Sequence, residues 1–239
     1  FACTLGTEKS TWKRIIRVFR QSRGIEVENI VDWNEKHVLA KAQFDCNVLT
    51  RKAVCDTSAG FVERETHRNT TWQQARFEVC HHKWVDMAET DGGIALINDS
   101  KYGVGLLENS MSLSLLRATI RPDVTSDLGH HEFAYMIYPH GDDFVKDEIN
   151  NIAFEYNIPL GKADLTCENS FGELYMQTMK MSEDGSMIVI RLSEQNGRRG
   201  RINLDGKVKL LNFLEDVVDE IDTIEYKPFE IITIGIKVK

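Results

Sequence analysis

Apolar and polar side chains alternate along most of the chain, and each alternating segment places its apolar residues on one face of an extended ribbon. Successive side chains of a strand point to opposite faces of a sheet, so a period of two is typical of half-buried strands. No long segment has convincing helical periodicity, and the pattern therefore predicts an all-β protein. The apolar sets are Trp12/Ile16/Val18, Ile25/Val27/Val31/Trp33, Met111/Leu113/Leu115, Phe133/Tyr135/Ile137, Ile188/Ile190/Leu192 and Ile232/Ile234/Ile236/Val238.

Two stretches fit more than one element. Residues 145–157 fit a short helix, but apolar residues alternate from Ile152 to Ile158. Residues 207–221 have apolar side chains at both helical and strand spacing. Short apolar runs distinguish poorly between the two structures. We predict strands in both stretches, in keeping with the rest of the chain.

The best candidate for a domain boundary is the segment 159–163, Pro-Leu-Gly-Lys-Ala, after which apolar anchors are few until Leu174. Turn signals such as Asp184-Gly185 and Asp205-Gly206 fit many short strands, since glycine tolerates a positive φ where a chain reverses. We expect one large β-sandwich over residues 1–160. Residues 161–239 are expected to hold completing strands and a small C-terminal sandwich.

The charge balance narrows the classes of partner. The net charge is −8, and the densest basic run, residues 198–201, is short. Nucleic-acid binding requires clustered positive charge, so we expect no nucleic-acid partner. No apolar stretch approaches the roughly 20 residues of a membrane helix, and residues 1–4 do not resemble a signal peptide. We therefore expect no membrane partner.

The cysteines give an expectation about the cellular compartment. There are five, an odd number, and they are widely spaced with no Cys-x-x-Cys pair. In a chain of 239 residues this usage is typical of free thiols in a reducing environment. A cytoplasmic location is the expectation.

The most distinctive motifs lie between residues 60 and 139. They include Thr66-His67-Arg68-Asn69-Thr70, His82-Lys83-Trp84-Val85-Asp86, and Asn98-Asp99-Ser100-Lys101-Tyr102-Gly103 after a short apolar run. Further motifs are Glu28–His37 upstream, and Gly197–Gly200 and Lys227–Ile231 downstream. Together they resemble the C-terminal region of family 38 α-mannosidases, in the branch with bacterial, vacuolar and cytosolic members. The resemblance covers nearly all of the chain from about Ser10.

This resemblance implies a fold and indicates which domain holds the catalytic residues. The implied fold is a large two-sheet super-sandwich, similar to galactose mutarotases, followed by a smaller β-sandwich. Family members carry their catalytic residues and a divalent metal, usually zinc, in an earlier domain. They hydrolyse α-mannosides with retention of configuration. We expect that catalytic domain, and the strands that open the large sandwich, to lie upstream of residue 1. This chain would then hold no catalytic residue, metal or cofactor, and alone would be inactive.

Two polar segments are candidates for substrate binding. His67, Arg68 and Asn69 follow a strand-like run, and their side chains could donate hydrogen bonds to sugar hydroxyls or pin the catalytic domain. A hydrogen-bonded packing loop is the plainer interpretation of this segment. The second segment has Asp99, Lys101 and Tyr102, which could rim a glycan site. It is also a strand-ending turn, since Asx side chains cap their own backbone.

The spacing of the remaining polar residues does not indicate a metal site or a catalytic site. The pairs His81-His82 and His130-His131 cannot chelate a metal alone, because adjacent strand residues point to opposite faces. The carboxylates are scattered, whereas glycoside hydrolysis requires two of them about 5–10 Å apart. The tryptophans are interpreted as core or interface residues rather than sugar platforms: Trp12, Trp33, Trp72 and Trp84.

The sequence leaves three functions open. The first is a scaffold that buttresses its own catalytic domain and lines the cleft for α-mannoside glycans. The second is a stand-alone module that binds mannose-rich glycans. The third is a mutarotase-like sugar enzyme, which would require a His and a carboxylate facing each other, and no such pair stands out. The oligomeric state is open as well, a homo-oligomer included.

Overall fold

The computed structural model describes residues 1–145, 148–158 and 171–238. Its first strands are β1 (Ala2–Gly6), β2 (Thr11–Val18), β3 (Ile25–Trp33), β4 (Leu39–Asp45), β5 (Lys52–Thr57) and β6 (Gly60–Glu65), followed by the short helix α1 (Thr71–Gln74). Next come β7 (Val79–Cys80), β8 (Trp84–Glu89), β9 (Gly92–Asn98), β10 (Gly103–Leu107), β11 (Ser110–Arg117), β12 (Gly129–His140) and helix α2 (Ile149–Asn157). The last strands are β13 (Tyr175–Met181), β14 (Met187–Ser193), β15 (Gly200–Leu211), β16 (Val217–Tyr226) and β17 (Ile231–Lys237). The all-β prediction is confirmed.

Contacts divide the chain into two compact units. One holds Phe1–Thr57 and the described part of Val62–Gly161, and the other holds Ser58–Phe61 and the described part of Lys162–Lys239. The boundary predicted at residues 159–163 lies outside the described residues. The sequence pattern did not indicate that four residues from the first half belong to the second unit. No helix within the described ranges is long and apolar enough to span a membrane.

The first unit is a two-sheet sandwich. An eight-stranded sheet has the order β1-β2-β3-β12-β9-β8-β5-β6, and a four-stranded sheet has the order β4-β11-β10-β7. Both contribute to one core, the larger sheet through residues such as Val31 and Leu96 and the smaller through Leu113 and Val104. The alternation along each strand places these side chains on the shared inner face.

The second unit has its own sheet and core. Among the described residues its strands form one antiparallel sheet in the order β13-β14-β17-β15-β16. Ile190 lies opposite Ile234 in the register, and Leu192 lies opposite Ile232. These residues, together with Ile224 and Tyr226, form the second core. The strand prediction for 207–221 is confirmed, because β15 and β16 pair across a turn there.

The strand prediction for 145–157 is wrong. Residues 149–157 form the helix α2, and its buried residues are Ile149, Asn150 and Ala153. These positions lie on one face of the helix, since residues four apart are one above the other. One of the three, Asn150, is polar. The alternating residues Phe154 and Ile158 are instead exposed. The alternation was therefore incidental to the helix, which packs on β8 and β9.

A buried polar pair on the outer face of the large sheet joins β8, on which α2 packs, to the end of β12. His140 Nε2 is 2.7 Å from Asp86 Oδ1, and the side chains are 0 % and 1 % exposed. His140 Nδ1 is 2.6 Å from the carbonyl of Asp142. Nearby, the Trp84 indole donates to Asn150 Oδ1 of α2 at 3.1 Å. Gly93 lies opposite both Ala88 and His140 in the register, where the absence of a side chain leaves room for the imidazole.

A second buried histidine is held by an asparagine. The Asn98 amide donates to His81 Nε2 and to the His82 carbonyl, both at 2.9 Å. The Asn98 Oδ1 accepts from the Lys101 backbone at 2.6 Å, which fixes the amide orientation and makes His81 Nε2 the acceptor. His81 is fully buried. Burial lowers the pKa of its imidazole to about 4, so this side chain is neutral near pH 7.

Replacing Gly93 by alanine should destabilise the first unit. A Cβ there would lie 2.6 Å from the Met87 carbonyl oxygen, 2.7 Å from Ala88 Cβ and 2.7 Å from His140 Cε1. We expect the free energy of unfolding in urea to fall by about 1–3 kcal/mol, as for other overpacked sites. Gly141→Ala is the control, because a Cβ there meets nothing within 4 Å. Equal losses for the two variants would contradict this packing.

His81 should make the chain sensitive to acid. Its pKa is about 4 in the folded state, against an ordinary value of 6.5. The unfolded chain therefore binds the proton first, and stability is lost as the pH falls from about 6.5 to about 4. The lowered pKa of His81 therefore corresponds to about 3 kcal/mol of the free energy of unfolding at neutral pH. His81→Gln keeps an acceptor for Asn98 and should reduce this loss, measured by urea unfolding at several pH values.

His130→Gln is the control of opposite sign. The pKa of His130 is raised, first by its hydrogen bond with Asp32 and then by that with Glu132. Its contribution to stability is present at low pH and is lost as the pH rises. Removing it should therefore not protect against acid. An unchanged acid loss in His81→Gln would contradict the role given to His81.

Candidate functional site

The first predicted segment follows β6 and is fixed to its surroundings through Thr66. The Thr66 backbone N–H donates to the Arg51 carbonyl at 3.0 Å, and its hydroxyl donates to the Thr50 carbonyl at 2.7 Å. The Glu108 N–H donates to the Thr66 carbonyl at 2.5 Å. Thr66 is fully buried. These three bonds hold the start of the loop against the segment before β5 and the turn between β10 and β11. His67, Arg68 and Asn69 therefore begin from a rigid position.

His67 and Arg68 are half-buried beside an exposed aromatic ring. The Arg68 guanidinium carbon lies 5.7 Å from the centroid of Phe77, within reach of a cation–π interaction. His67 Nδ1 and Arg68 Nε are buried and have no hydrogen-bond partner among the described residues. Both side chains line a narrow hollow with Gln73 and Phe77. Both nitrogens are closed to solvent, so neither is presented to an external group.

Asn69 has a structural role through its backbone. Gln73 Oε1 accepts from the backbone N–H groups of Asn69, at 2.8 Å, and Thr70, at 2.9 Å. The Thr70 hydroxyl in turn accepts from the Gln73 N–H, which completes a capping box at the start of α1. The Asn69 side chain itself is exposed. The loop is therefore ordered by its own hydrogen bonds.

The second predicted segment is first of all a strand-ending turn. Asp99 Oδ2 accepts from the Ala134 backbone of β12 at 2.8 Å, and Oδ1 accepts from the Ser100 hydroxyl at 2.8 Å. The Lys101 ammonium lies 4.3 Å from the centroid of Phe133. Burial lowers the pKa of Lys101, while Asp127 and Asp99 oppose that shift. Asp99 and Lys101 are thus engaged with the sheet.

Tyr102 lies at the rim of an open cleft. The cleft has a volume of about 430 Å³ and is lined by Cys80, His82, Lys83, Asn98, Tyr102 and Asn157. The Tyr102 side chain is 54 % exposed, and its ring contacts His82 edge-on with centroids 6.0 Å apart. The Lys83 ammonium is paired with Asp56 at 3.0 Å. Tyr102 therefore offers a ring face and a hydroxyl to a ligand in this cleft.

The short strand β7 lies between the two predicted segments. Phe77, beside Arg68, precedes β7, while Cys80 of β7 pairs with Gly103, directly after Tyr102. Among the described residues no hydrogen bond, ion pair or ring contact joins His67, Arg68 or Asn69 to Asp99, Lys101 or Tyr102. They form two neighbouring sites rather than one. Sequence reasoning missed His82, Lys83 and Asn157 as cleft residues, and the strand prediction for α2 concealed the last of them.

The candidate side chains offer hydrogen-bonding groups and the exposed ring of Tyr102. Within residues 1–145, 148–158 and 171–238, no group of three or more His, Cys, Asp and Glu side chains could hold a metal ion. The residues described here therefore do not fit the zinc ion that the resemblance implies. The His140–Asp86 pair is a His facing a carboxylate, which spacing did not reveal. It is sealed from solvent, so a sugar cannot reach it.

Comparison with known proteins finds two family models in the chain. The glycosyl hydrolases family 38 C-terminal domain matches residues 2–125, and the family 38 C-terminal β-sandwich domain matches residues 173–234. A crystal structure of an α-mannosidase from Enterococcus faecalis has a TM-score of 0.81 at 16 % identity, covering 95 % of this chain and 29 % of that chain. At that identity the likeness shows the fold.

Curated relatives agree with these matches. α-Mannosidase G of Dictyostelium discoideum is 36 % identical over 92 % of this chain and 22 % of its own length. The α-mannosidase of Saccharomyces cerevisiae is 30 % identical over 85 % of this chain and 20 % of its own length, and α-mannosidase 2C1 of Mus musculus is 37 % identical over 70 % and 17 %. The chain thus spans about a fifth of the length of these relatives. The chain belongs to glycoside hydrolase family 38 and matches its C-terminal β domains.

Proposed function

We propose that this chain is the C-terminal β region of an α-mannosidase that removes terminal α-mannosyl residues from glycans. The observation that carries the proposal is the match of both C-terminal family domains, in order, over residues 2–125 and 173–234. The relatives, named α-mannosidases, support the same activity for the complete protein. The two units would then be the large and the small sandwich of that enzyme.

The catalytic groups of the complete enzyme would lie upstream of this chain. Retaining hydrolysis of a glycoside requires a nucleophilic carboxylate and an acid–base carboxyl about 5–5.5 Å apart across an accessible cleft. The described residues offer no group of side chains that could hold a metal ion. Their histidine–carboxylate contacts include the sealed His140–Asp86 pair and the exposed contacts of His130 with Asp32 and Glu132, none of which is a pair of carboxyl groups across a cleft. The role proposed for this chain is to buttress the catalytic domain and to contribute loop residues to its glycan cleft.

Tyr102 is the predicted site residue best placed to contact a glycan. Its ring is more than half exposed and stands over an open cleft, and sugar rings pack on aromatic faces. Asp99 and Lys101 would act indirectly, because Asp99 fixes the turn to β12 and Lys101 lies on Phe133. His67, Arg68 and Asn69 form the neighbouring site, on the other side of β7.

A cytoplasmic location is part of the proposal. It is supported by Cys3, Cys46, Cys55 and Cys80, which are free thiols in the described part of the chain. Burial raises the pKa of the Cys55 thiol to about 12, so that sulfur is protonated and unreactive at neutral pH. Unpaired cysteines are usual where thiols are kept reduced.

The assignment predicts that activity depends on the longer protein. The full-length gene product should hydrolyse a chromogenic α-mannoside, and chelation followed by zinc addition should abolish and restore the reaction. The chain of residues 1–239 should release no product with or without zinc, because it lacks the catalytic carboxylates. Zinc-dependent turnover by this chain would contradict the scaffold role. Mannose binding by the isolated chain would instead favour a stand-alone module, and faster anomer exchange of free sugars a mutarotase-like enzyme.

Tyr102→Ala should weaken glycan binding in the full-length enzyme. Loss of a stacking ring costs about 1.4 kcal/mol, which corresponds to a roughly tenfold higher KM for a mannose oligosaccharide with kcat unchanged. Tyr102→Phe keeps the ring and should retain most of the affinity. Phe213→Ala is the matched control, since that ring is 67 % exposed in the second unit. An unchanged KM in Tyr102→Ala would show that Tyr102 does not contact the glycan.

A further inference from the structure

Three of the seven methionines of the chain lie on one strand of the second unit, β13. This strand is at the edge of its sheet, and among the described residues it pairs only with β14. Met176, Met179 and Met181 are 37 %, 54 % and 50 % exposed, whereas Met87 and Met111 of the first unit are fully buried. The oxidation of a thioether follows its exposure. A dissolved oxidant therefore reaches the sulfur atoms of β13 more readily than those of the first core.

The three exposed methionines lie on the face of the sheet that carries the second core. Residues directly opposite each other on neighbouring antiparallel strands share a face. The partners Ile190 and Leu192 belong to the second core, and Ile188 packs against it. The three pairs of the register are Met176 with Leu192, Met179 with Ile190 and Met181 with Ile188.

A β-bulge places the third thioether on this face. Met176 and Met179 are three positions apart, and in a regular strand such residues point to opposite faces. The register shifts between Met176 and Thr178, so that Gln177 is an extra residue of β13. The Gln177 amide donates to the Ser193 hydroxyl at 2.7 Å, which holds the bulge against β14. The fold therefore aligns three exposed thioethers along one edge of the second core.

We propose that β13 is an oxidation site, at which hydrogen peroxide converts Met176, Met179 and Met181 to methionine sulfoxides and weakens the pairing of β13 with β14. In each reaction the O–O bond of the peroxide breaks and one oxygen atom binds to the sulfur. The other oxygen takes both hydrogen atoms and leaves as water, so sulfur loses the two electrons that the peroxide gains. A flexible apolar side chain becomes a polar one, which opposes its contact with Ile190 and Leu192. The proposal does not depend on the activity of the complete enzyme.

Peptide mass spectrometry and hydrogen–deuterium exchange on the full-length protein test this site. With hydrogen peroxide, sulfoxide should form at Met176, Met179 and Met181 roughly tenfold faster than at Met87 and Met111. The backbone amides of β13 should then exchange roughly tenfold faster than before treatment, because a weakened edge strand opens more often. Those of β12 in the first unit should be unchanged. Methionine sulfoxide reductases should restore the original exchange rate, since this oxidation is reversible.

The triple variant Met176→Leu, Met179→Leu and Met181→Leu identifies the atoms responsible. Leucine keeps an apolar side chain of similar volume and has no sulfur to oxidise. The exchange of β13 in this variant should not respond to peroxide. Met187→Leu is the matched control, because Met187 is on the neighbouring strand β14 and points to the face opposite that of Ile188. This control should respond as the unsubstituted protein does.

Three results would overturn the proposal. Equal oxidation of the β13 methionines and of Met87 and Met111 would show that β13 is covered in the full-length protein. Sulfoxides on β13 without faster exchange would show that they do not weaken its pairing. The same acceleration in the triple variant would assign it to other groups, such as the free thiols. Reversal by the reductases requires no substitution, so the test is decisive even where the triple variant fails to fold.

Discussion

The pairing of β12 on both of its edges is the constraint on which the first unit depends. Its residues Gly129–Ile137 pair with β3, and Tyr135–His140 pair with β9. The strand therefore joins the first 33 residues to the middle of the chain in one sheet. A slip of one residue would turn every side chain of β12 to the other face, moving Phe133 and Tyr135 out of the core and bringing His140 into it. The register of β12 thus determines both the core of the first unit and the buried His140–Asp86 pair.

The sequence predicted the strands because their signal is local. A strand with one buried face must alternate, and the alternation at residues 25–33 and 133–137 corresponds to core positions in β3 and β12. The helix α2 was missed because its signal is not local. Asn150 occupies a buried position, where it accepts from Trp84 on a distant strand. No pattern within residues 149–157 shows that such a partner exists, so periodicity alone favoured a strand.

The same distinction explains how much of the candidate site could be predicted. Composition and position identified both loops as candidates, since each polar run comes directly after a strand, β6 or β9. Spacing could not show that Asp99 and Lys101 are engaged by Ala134 and Phe133, because those contacts depend on how β12 lies beside β9. It also could not bring Asn157 to the Tyr102 cleft, or His140 to Asp86, residues that are 54 positions apart. Each of these contacts is a consequence of the sheet order.

Buried polar groups of this chain are matched to different degrees. In the second unit the fully buried Glu194 accepts from the backbone of Asn196, Gly197 and Phe229, at 2.7, 3.0 and 2.9 Å. The three donors belong to its own unit, as burial of a polar group requires. Arg68 Nε is buried as well, but it has no acceptor in the described part of the chain, and Arg14 Nε, Arg64 Nε and Trp33 Nε1 are in the same condition. An unmatched nitrogen is thus a property that the loop after β6 shares with the interior of the sandwich, and each such atom forgoes a hydrogen bond of the kind that Glu194 retains.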